Sequence, residues 1–236
     1  MGDNPFDNRY DGGETEYEQY LKTAELLGLQ KPPERRTHPQ ELFFQIVHQV
    51  EELWMKLAIH ELGNFVVNMK AANYGKAGNC ANQAIKVLGL CENQLRLFSH
   101  MQPSSYLAIR AGLGQGSGMD SPGFKRINEI AAELWSSFDE ALSREDVELL
   151  TMYQNPELHP ALMTAAESLV CFDSQMQRFK QEHLMVVKRI TGMGTASLRG
   201  NPVEMLERSA KVTFFPMLWA VRDRLFLDFK AGSLKI

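Results

Sequence analysis

The sequence predicts an all-α protein, and three observations carry that expectation. Apolar residues recur at helical spacing in one segment after another. No stretch shows the alternation that a half-buried strand requires. Prolines and glycines fall between the periodic segments, where helices start and stop. The first fourteen residues are polar and turn-rich, so an arm over 1–14 is expected to be mobile, with one helical domain over 15–236. A first helix is expected over about 15–29, through Tyr17, Tyr20, Leu21 and Leu26, until Pro32 and Pro33 stop it. Pro39 suits the first turn of a long helix over about 40–72, in which Phe44, Val47, Trp54, Leu57, Ile59 and Leu62 keep helical register. A third helix over 79–100 places Ala84, Val87, Leu88, Cys91, Leu95 and Phe98 on its inner stripe.

Pro103-Ser104-Ser105 should cap a short helix over 106–112. The glycine-rich stretch 114–123 should be a loop. Helices are expected over 124–142 and 145–153. Pro160 then opens a long helix whose inward residues are Leu162, Leu169, Met176, Phe179, His183, Val186 and Ile190. Residues 192–202 read as a second flexible loop. A last helix over about 203–229 carries Phe214, Phe215, Leu218 and Val221.

Composition excludes more than it identifies. A formal net charge of -4 offers no nucleic-acid surface, and no apolar run reaches membrane-spanning length. The 3 cysteines are odd in number and widely spaced, which suits a reducing cytoplasm better than a disulfide framework.

A few residues could carry chemistry. His48 lies one turn after Phe44 on the second long helix, and His183 sits on the apolar stripe between Phe179 and Val186. Either could be a hydrogen-bonded core residue, a metal ligand or an acid/base group. Helical bundles hold cofactors between facing helices, and heme iron takes one axial imidazole while leaving its other face open. Zinc is the poorer alternative, since no third or fourth ligand stands at suitable spacing. Arg110 follows Tyr106 by one helical turn beside the glycine-rich loop; it could be a surface ion-pair residue or a guanidinium fork for a carboxylate. The stretch Gly192-Met193-Gly194-Thr195 could be a plain turn or a closing loop with a useful hydroxyl.

Several blocks together resemble the tryptophan 2,3-dioxygenase family. They are Tyr17-x-x-Tyr20-Leu21 with Leu26-Leu27-x-Leu29-Gln30; Glu41-Leu42-Phe43-Phe44-Gln45-Ile46-Val47-His48-Gln49 running to His60-Glu61-Leu62; and Met101-x-Pro103-x-x-Tyr106-x-x-x-Arg110 with Ser117-Gly118. The series continues with His183-x-x-x-Val187-x-Arg189-Ile190-x-Gly192, then Gly194-Thr195, and ends with Thr213-Phe214-Phe215-Pro216 and Arg222. The blocks keep family order and span nearly the whole chain.

The resemblance implies a heme b enzyme that uses O2 on the indole ring of L-tryptophan or a substituted tryptophan. It makes His183 the proximal iron ligand and His48 the residue that hydrogen-bonds the indole N–H. Arg110 would hold the substrate carboxylate and Thr195 the ammonium and carboxylate end. Phe44 and Tyr106 would wall the indole pocket, and Ser117 would lie near the heme edge. It further implies a homotetramer in which the 15–30 helix reaches a neighbouring subunit, so that Tyr17, Tyr20, Leu21 and Ala24 complete that subunit's pocket. The closing loop departs from the family's Gly-Thr-Gly-Gly-Ser-Ser-Gly, reading Gly194-Thr195-Ala196-Ser197-Leu198-Arg199-Gly200. Because that lid shapes the pocket, two outcomes stand open. One is dioxygenation of C2–C3 to an N-formylkynurenine-type product; the other is monooxygenation to a 2-oxindole in secondary metabolism, which needs an external reductant. A non-catalytic heme sensor is a third reading.

Overall fold

The structure is a computed structural model that describes residues 15–114, 116–193 and 203–232. Among them the regular elements are helices throughout, with no strand, as the periodicity predicts. In chain order these are α1 (Glu16–Leu21), α2 (Thr23–Leu27), α3 (Glu41–Lys70), α4 (Tyr74–Leu95), α5 (Pro103–Ala111), α6 (Pro122–Arg144), α7 (Leu149–Gln154), α8 (Pro160–Thr191), α9 (Val203–Lys211) and α10 (Pro216–Lys230). No described helix is long and apolar enough to cross a membrane.

The frame is a stack of long helices. α4 packs between α3 and α8, and α6 lies along α3. Phe65, Phe138, Phe172, Phe215, Leu62 and Leu169 are fully buried in this main core. Each contributes roughly 1.5–3 kcal/mol by leaving water. The face of α4 turned to this core is built from small residues, Ala77, Gly78, Ala81 and Ala84. They let α8 come close: a Cβ on Gly78 would stand 3.0 Å from the Thr164 Cγ2. This small-residue face also explains why α4 begins five positions before the expected start at 79, since alanine and glycine contribute little to an apolar stripe.

Several expected boundaries are corrected. The helix expected over 15–29 is two short helices, broken at Lys22, whose φ of 55 is left-handed. A capping box between Thr15 and Glu18 starts α1. Neither α1 nor α2 buries a residue, so no packing holds a continuous rod together. Pro39 stands just before the N-cap Gln40 rather than within the first turn. Pro103 itself is the first residue of α5, with Gln102 at the cap, so Ser104 and Ser105 lie inside the helix rather than before it. Residues 118–120 of the expected loop form a 3-10 turn.

The expected last helix is also two, α9 and α10, because Pro216 cannot donate the backbone bond a helix interior needs. The connection between them is held from α8. Asp173, fully buried, accepts hydrogen bonds at its Oδ2 from the backbone N–H of Phe214 (3.0 Å) and Phe215 (3.3 Å) and from the Trp219 indole N–H (2.9 Å). Further along α10, Arg222 donates to the Tyr153 hydroxyl (3.1 Å), the Glu167 carboxylate (2.5 Å) and the Leu218 carbonyl (2.7 Å), joining α7, α8 and α10. Arg222, one of the family-like residues, therefore acts as a structural clamp.

Candidate active site

The site is organised by α3, α5 and α8 around a second, smaller core of Val47, Phe98, Met101, Ile109 and Ile190, against which Phe43, Phe44, Tyr106 and Val186 pack. His48 lies one turn after Phe44 on α3, and their ring centroids are 4.2 Å apart. The His48 Nδ1 is 2.7 Å from the Phe44 carbonyl oxygen. A carbonyl only accepts, so Nδ1 carries the proton and Nε2 keeps a free lone pair. Burial pushes the His48 imidazole below its ordinary pKa, against the opposing pull of the Phe44 hydrogen bond and the Glu52 charge. His48 is therefore a neutral acceptor at neutral pH.

Around it stands an aromatic wall. Phe98 lies 5.5 Å from His48 and 5.9 Å from Phe44, and Tyr106 lies 6.4 Å from Phe44. Arg110, one turn after Tyr106 on α5, holds its guanidinium carbon 5.7 Å from the centre of the Tyr106 ring. Among the described residues it meets no carboxylate and donates no hydrogen bond, so its fork is free for a ligand anion.

His183 extends from α8, one turn after Phe179, and the two rings stack at 6.5 Å with 10° between their planes. Burial first, and the charge of His48 second, push the His183 imidazole down to about 4. Among the described residues neither His183 nitrogen has a hydrogen-bond partner. Gly118 lies next to Nε2, where a Cβ would come within 3.7 Å of it. Ser117, just before, caps the 3-10 turn by accepting from the Met119 N–H at 3.2 Å.

Position 123 fixes where this loop meets α3. A Cβ there would fall 2.7 Å from the Met55 Cβ and 2.8 Å from the Glu52 Oε2, so only glycine fits. The Glu52 carboxylate accepts from the Gly123 N–H (3.0 Å) and the Ser121 hydroxyl (2.5 Å), capping α6 one turn after His48.

Phe44, His48, Tyr106 and Arg110 thus converge as expected, with His183 and the Ser117–Gly118 backbone beside them. Thr195 lies outside the described residues. Tyr17 (70%), Tyr20 (87%) and Leu21 (44%) are exposed, as is Ala24, and they do not close this chain's own pocket. Instead Leu26 and Leu29 line a cleft of 620 Å³ with His48, Glu52 and Pro122. Sequence reasoning gave Gly118 and Glu52 no role of their own and read Phe98 and Phe179 as core only. The i,i+4 spacing of Glu52 from His48 and of Phe179 from His183 was the available signal.

Glu51 was not anticipated either. It is 7% exposed on the buried face of α3, receives no hydrogen bond among the described residues, and its Oε1 is buried without a partner. Burial and the neighbouring Glu52 charge push its carboxyl up to about 8. The neutral acid is thus favoured by the fold, and stability is fully present below about 4.5, falling as pH rises through 8. Urea midpoints should decline over that window in the natural protein and flatten in Glu51→Gln. An unchanged slope in the variant would assign the decline to other groups.

A helical protein that gathers two neutral imidazoles, an aromatic wall and an unpaired guanidinium has the groups to bind an aromatic ligand that carries an anion. Comparison with known proteins sharpens the class. The profile of tryptophan 2,3-dioxygenase matches residues 3–137. The chain is 30% identical to "Tryptophan 2,3-dioxygenase" of Bradyrhizobium diazoefficiens, covering 95% of this chain and 100% of that one. It is 26% identical to that of Shewanella woodyi (89% and 90% covered) and 28% identical to that of Myxococcus xanthus (90% and 90%). The chain belongs to the tryptophan 2,3-dioxygenase family.

Proposed function

We propose that this chain is a heme-dependent dioxygenase that adds both atoms of O2 across the indole C2–C3 bond of tryptophan or a substituted tryptophan. The observation that carries the reading is the joint placement of an acceptor imidazole, His48, and a carboxylate-free guanidinium, Arg110, on either side of the Phe44–Tyr106 wall.

The residues present fit a heme. His183 is held neutral by burial, which leaves an imidazole lone pair for iron. Gly118 brings the 3-10 turn against Nε2, where an added Cβ would sit in ordinary contact at 3.7 Å. His183 would hold the iron of such a heme and Ser117 would border it, and the group would supply the activation of O2. The chain's own residues then do the positioning. Arg110 holds the carboxylate with a planar fork. Thr195 is assigned to the ammonium and carboxylate end. His48 Nε2 accepts the indole N–H, and Phe44 and Tyr106 hold the ring, so that orientation lowers the barrier. The exposed Tyr17, Tyr20, Leu21 and Ala24 are assigned to a neighbouring subunit's pocket in a homotetramer, with residues 15–236 acting as one unit. Cys80, Cys91 and Cys171 are free thiols, in keeping with a cytoplasmic setting.

The relatives all bear a dioxygenase name, and none supports the 2-oxindole outcome or a sensor. Steady-state kinetics of the heme-loaded protein test the clamp. Arg110→Ala is expected to raise KM for tryptophan, with a loss in kcat/KM of about 2–5 kcal/mol, the scale of a truncated charge pair in a closed site. Indole-3-propionate, which shares the carboxylate, should suffer equally in a binding assay. A KM equal to that of the natural protein would refute the clamp.

A further inference from the structure

A pocket of 380 Å³ opens from the faces of His48 and Phe44, bounded by Glu41, Gln45 and Gln49 on one side and Ile109 and Leu113 on the other. It touches both the helix that carries the indole acceptor and the helix that carries Arg110, so a ligand spanning those two groups borders it.

The polar accounting of its walls is specific. Glu41 is saturated: Lys31 Nζ reaches its Oε1 at 2.6 Å, and the Thr37 N–H (2.6 Å) and hydroxyl (3.0 Å) reach its Oε2. Burial pushes this carboxyl up, but those donors and the Lys31 charge outweigh it and hold the group below its ordinary value. The Lys31–Glu41 pair is thus an internally neutralised ion pair that asks nothing of a ligand.

Gln45 and Gln49 differ. The Gln45 Oε1 accepts from the backbone N–H of Lys31 at 2.9 Å, and since that partner can only donate, the orientation of the amide is settled. The Gln49 Oε1 accepts at 2.8 Å from the Gln30 Nε2, which in turn donates to the Leu26 carbonyl at 3.2 Å, so this orientation is settled too. Both Nε2 amides are left without an acceptor among the described residues. The pocket therefore presents unpaired N–H donors beside a neutralised ion pair.

A plain indole cannot answer them. Its one polar atom is the N1–H donor, which goes to His48, and its benzenoid edge has no acceptor. Covering two amide donors with bare ring carbon forfeits their hydrogen bonds to water, and a site that leaves polar groups unpaired discriminates against the ligand that does so.

We propose that this pocket is a specificity subsite in which the Gln45 and Gln49 amides donate to a neutral, oxygen-bearing substituent on the benzenoid ring of a tryptophan substrate. The proposal rests on the reading of His48 and Arg110 as the tryptophan-binding pair.

The test uses the heme-loaded full chain with the four ring hydroxytryptophans and their methyl counterparts, comparing kcat/KM and, by calorimetry, Kd. At least one hydroxy isomer is expected to exceed its methyl isostere by about tenfold or more. Gln45→Met and Gln49→Met should each bring that ratio toward unity. Because the ratio is taken within one preparation, loss of folded protein cancels. Tryptophan turnover with no hydroxy preference, or a preference that survives both substitutions, would overturn the subsite while leaving the tryptophan reading intact. Failure of tryptophan and every analogue to bind would overturn both.

Discussion

His183→Ala is expected to abolish stable heme binding: after reconstitution and desalting, the variant should show no Soret band while the natural protein shows a strong one. The physical reason is that this imidazole has no other task. No hydrogen bond ties it to the described residues, and burial keeps it unprotonated well below neutral pH. A half-buried imidazole with no partner in the protein keeps a nitrogen lone pair available, and coordination of a metal would use it. The helix itself should survive, because alanine is a better helix former and the core packing of Leu169, Phe172 and Met176 lies turns away. Far-UV circular dichroism should thus be unchanged in the variant. Retention of an unaltered Soret band would mean that another residue ligates the iron.

The second large effect is on stability. Asp173→Ala should lower the unfolding free energy by about 3–5 kcal/mol, the range for removing one member of a buried charged network. Three donors, the Phe214 and Phe215 N–H groups and the Trp219 indole, would lose their acceptor inside the core. Lys180, buried with its ammonium 4.6 Å from the Phe214 ring centre, would lose the negative charge that opposes the cost of its burial. Asp173→Asn, which keeps one oxygen acceptor, should lose distinctly less. Urea unfolding at constant m-value measures both. Equal loss in the two variants would show that packing volume rather than hydrogen bonding holds the 212–215 connection.

Much of this was legible in the residues, for physical reasons that also mark where legibility stops. α3 and α8 were readable because a long helix repeats its apolar signal over many turns, and both imidazoles lie on those stripes. The early start of α4 was hidden because Ala77, Gly78 and Ala81 pack by closeness rather than by size. The break at Lys22 has no glycine or proline to announce it, whereas the break before α10 was signalled by Pro216. That Phe44, His48, Tyr106 and Arg110 share a site was implied by the family resemblance, but the polar pocket beside them was not. Gln45 and Gln49 read as ordinary polar positions on a helix until Lys31 and Gln30 settled which way each amide turns. Glu51 falls on the same stripe as Val47 and Met55, one turn from each, so the 3.6-residue pattern did place it inward and only its acidic character argued for solvent.

The most direct check of the whole account is the mass of the product formed from L-tryptophan by the heme-loaded protein in isotopically labelled O2. Incorporation of two labelled oxygens per molecule is the predicted result. A single labelled oxygen, or unaltered tryptophan from protein that has bound both heme and substrate, would contradict it.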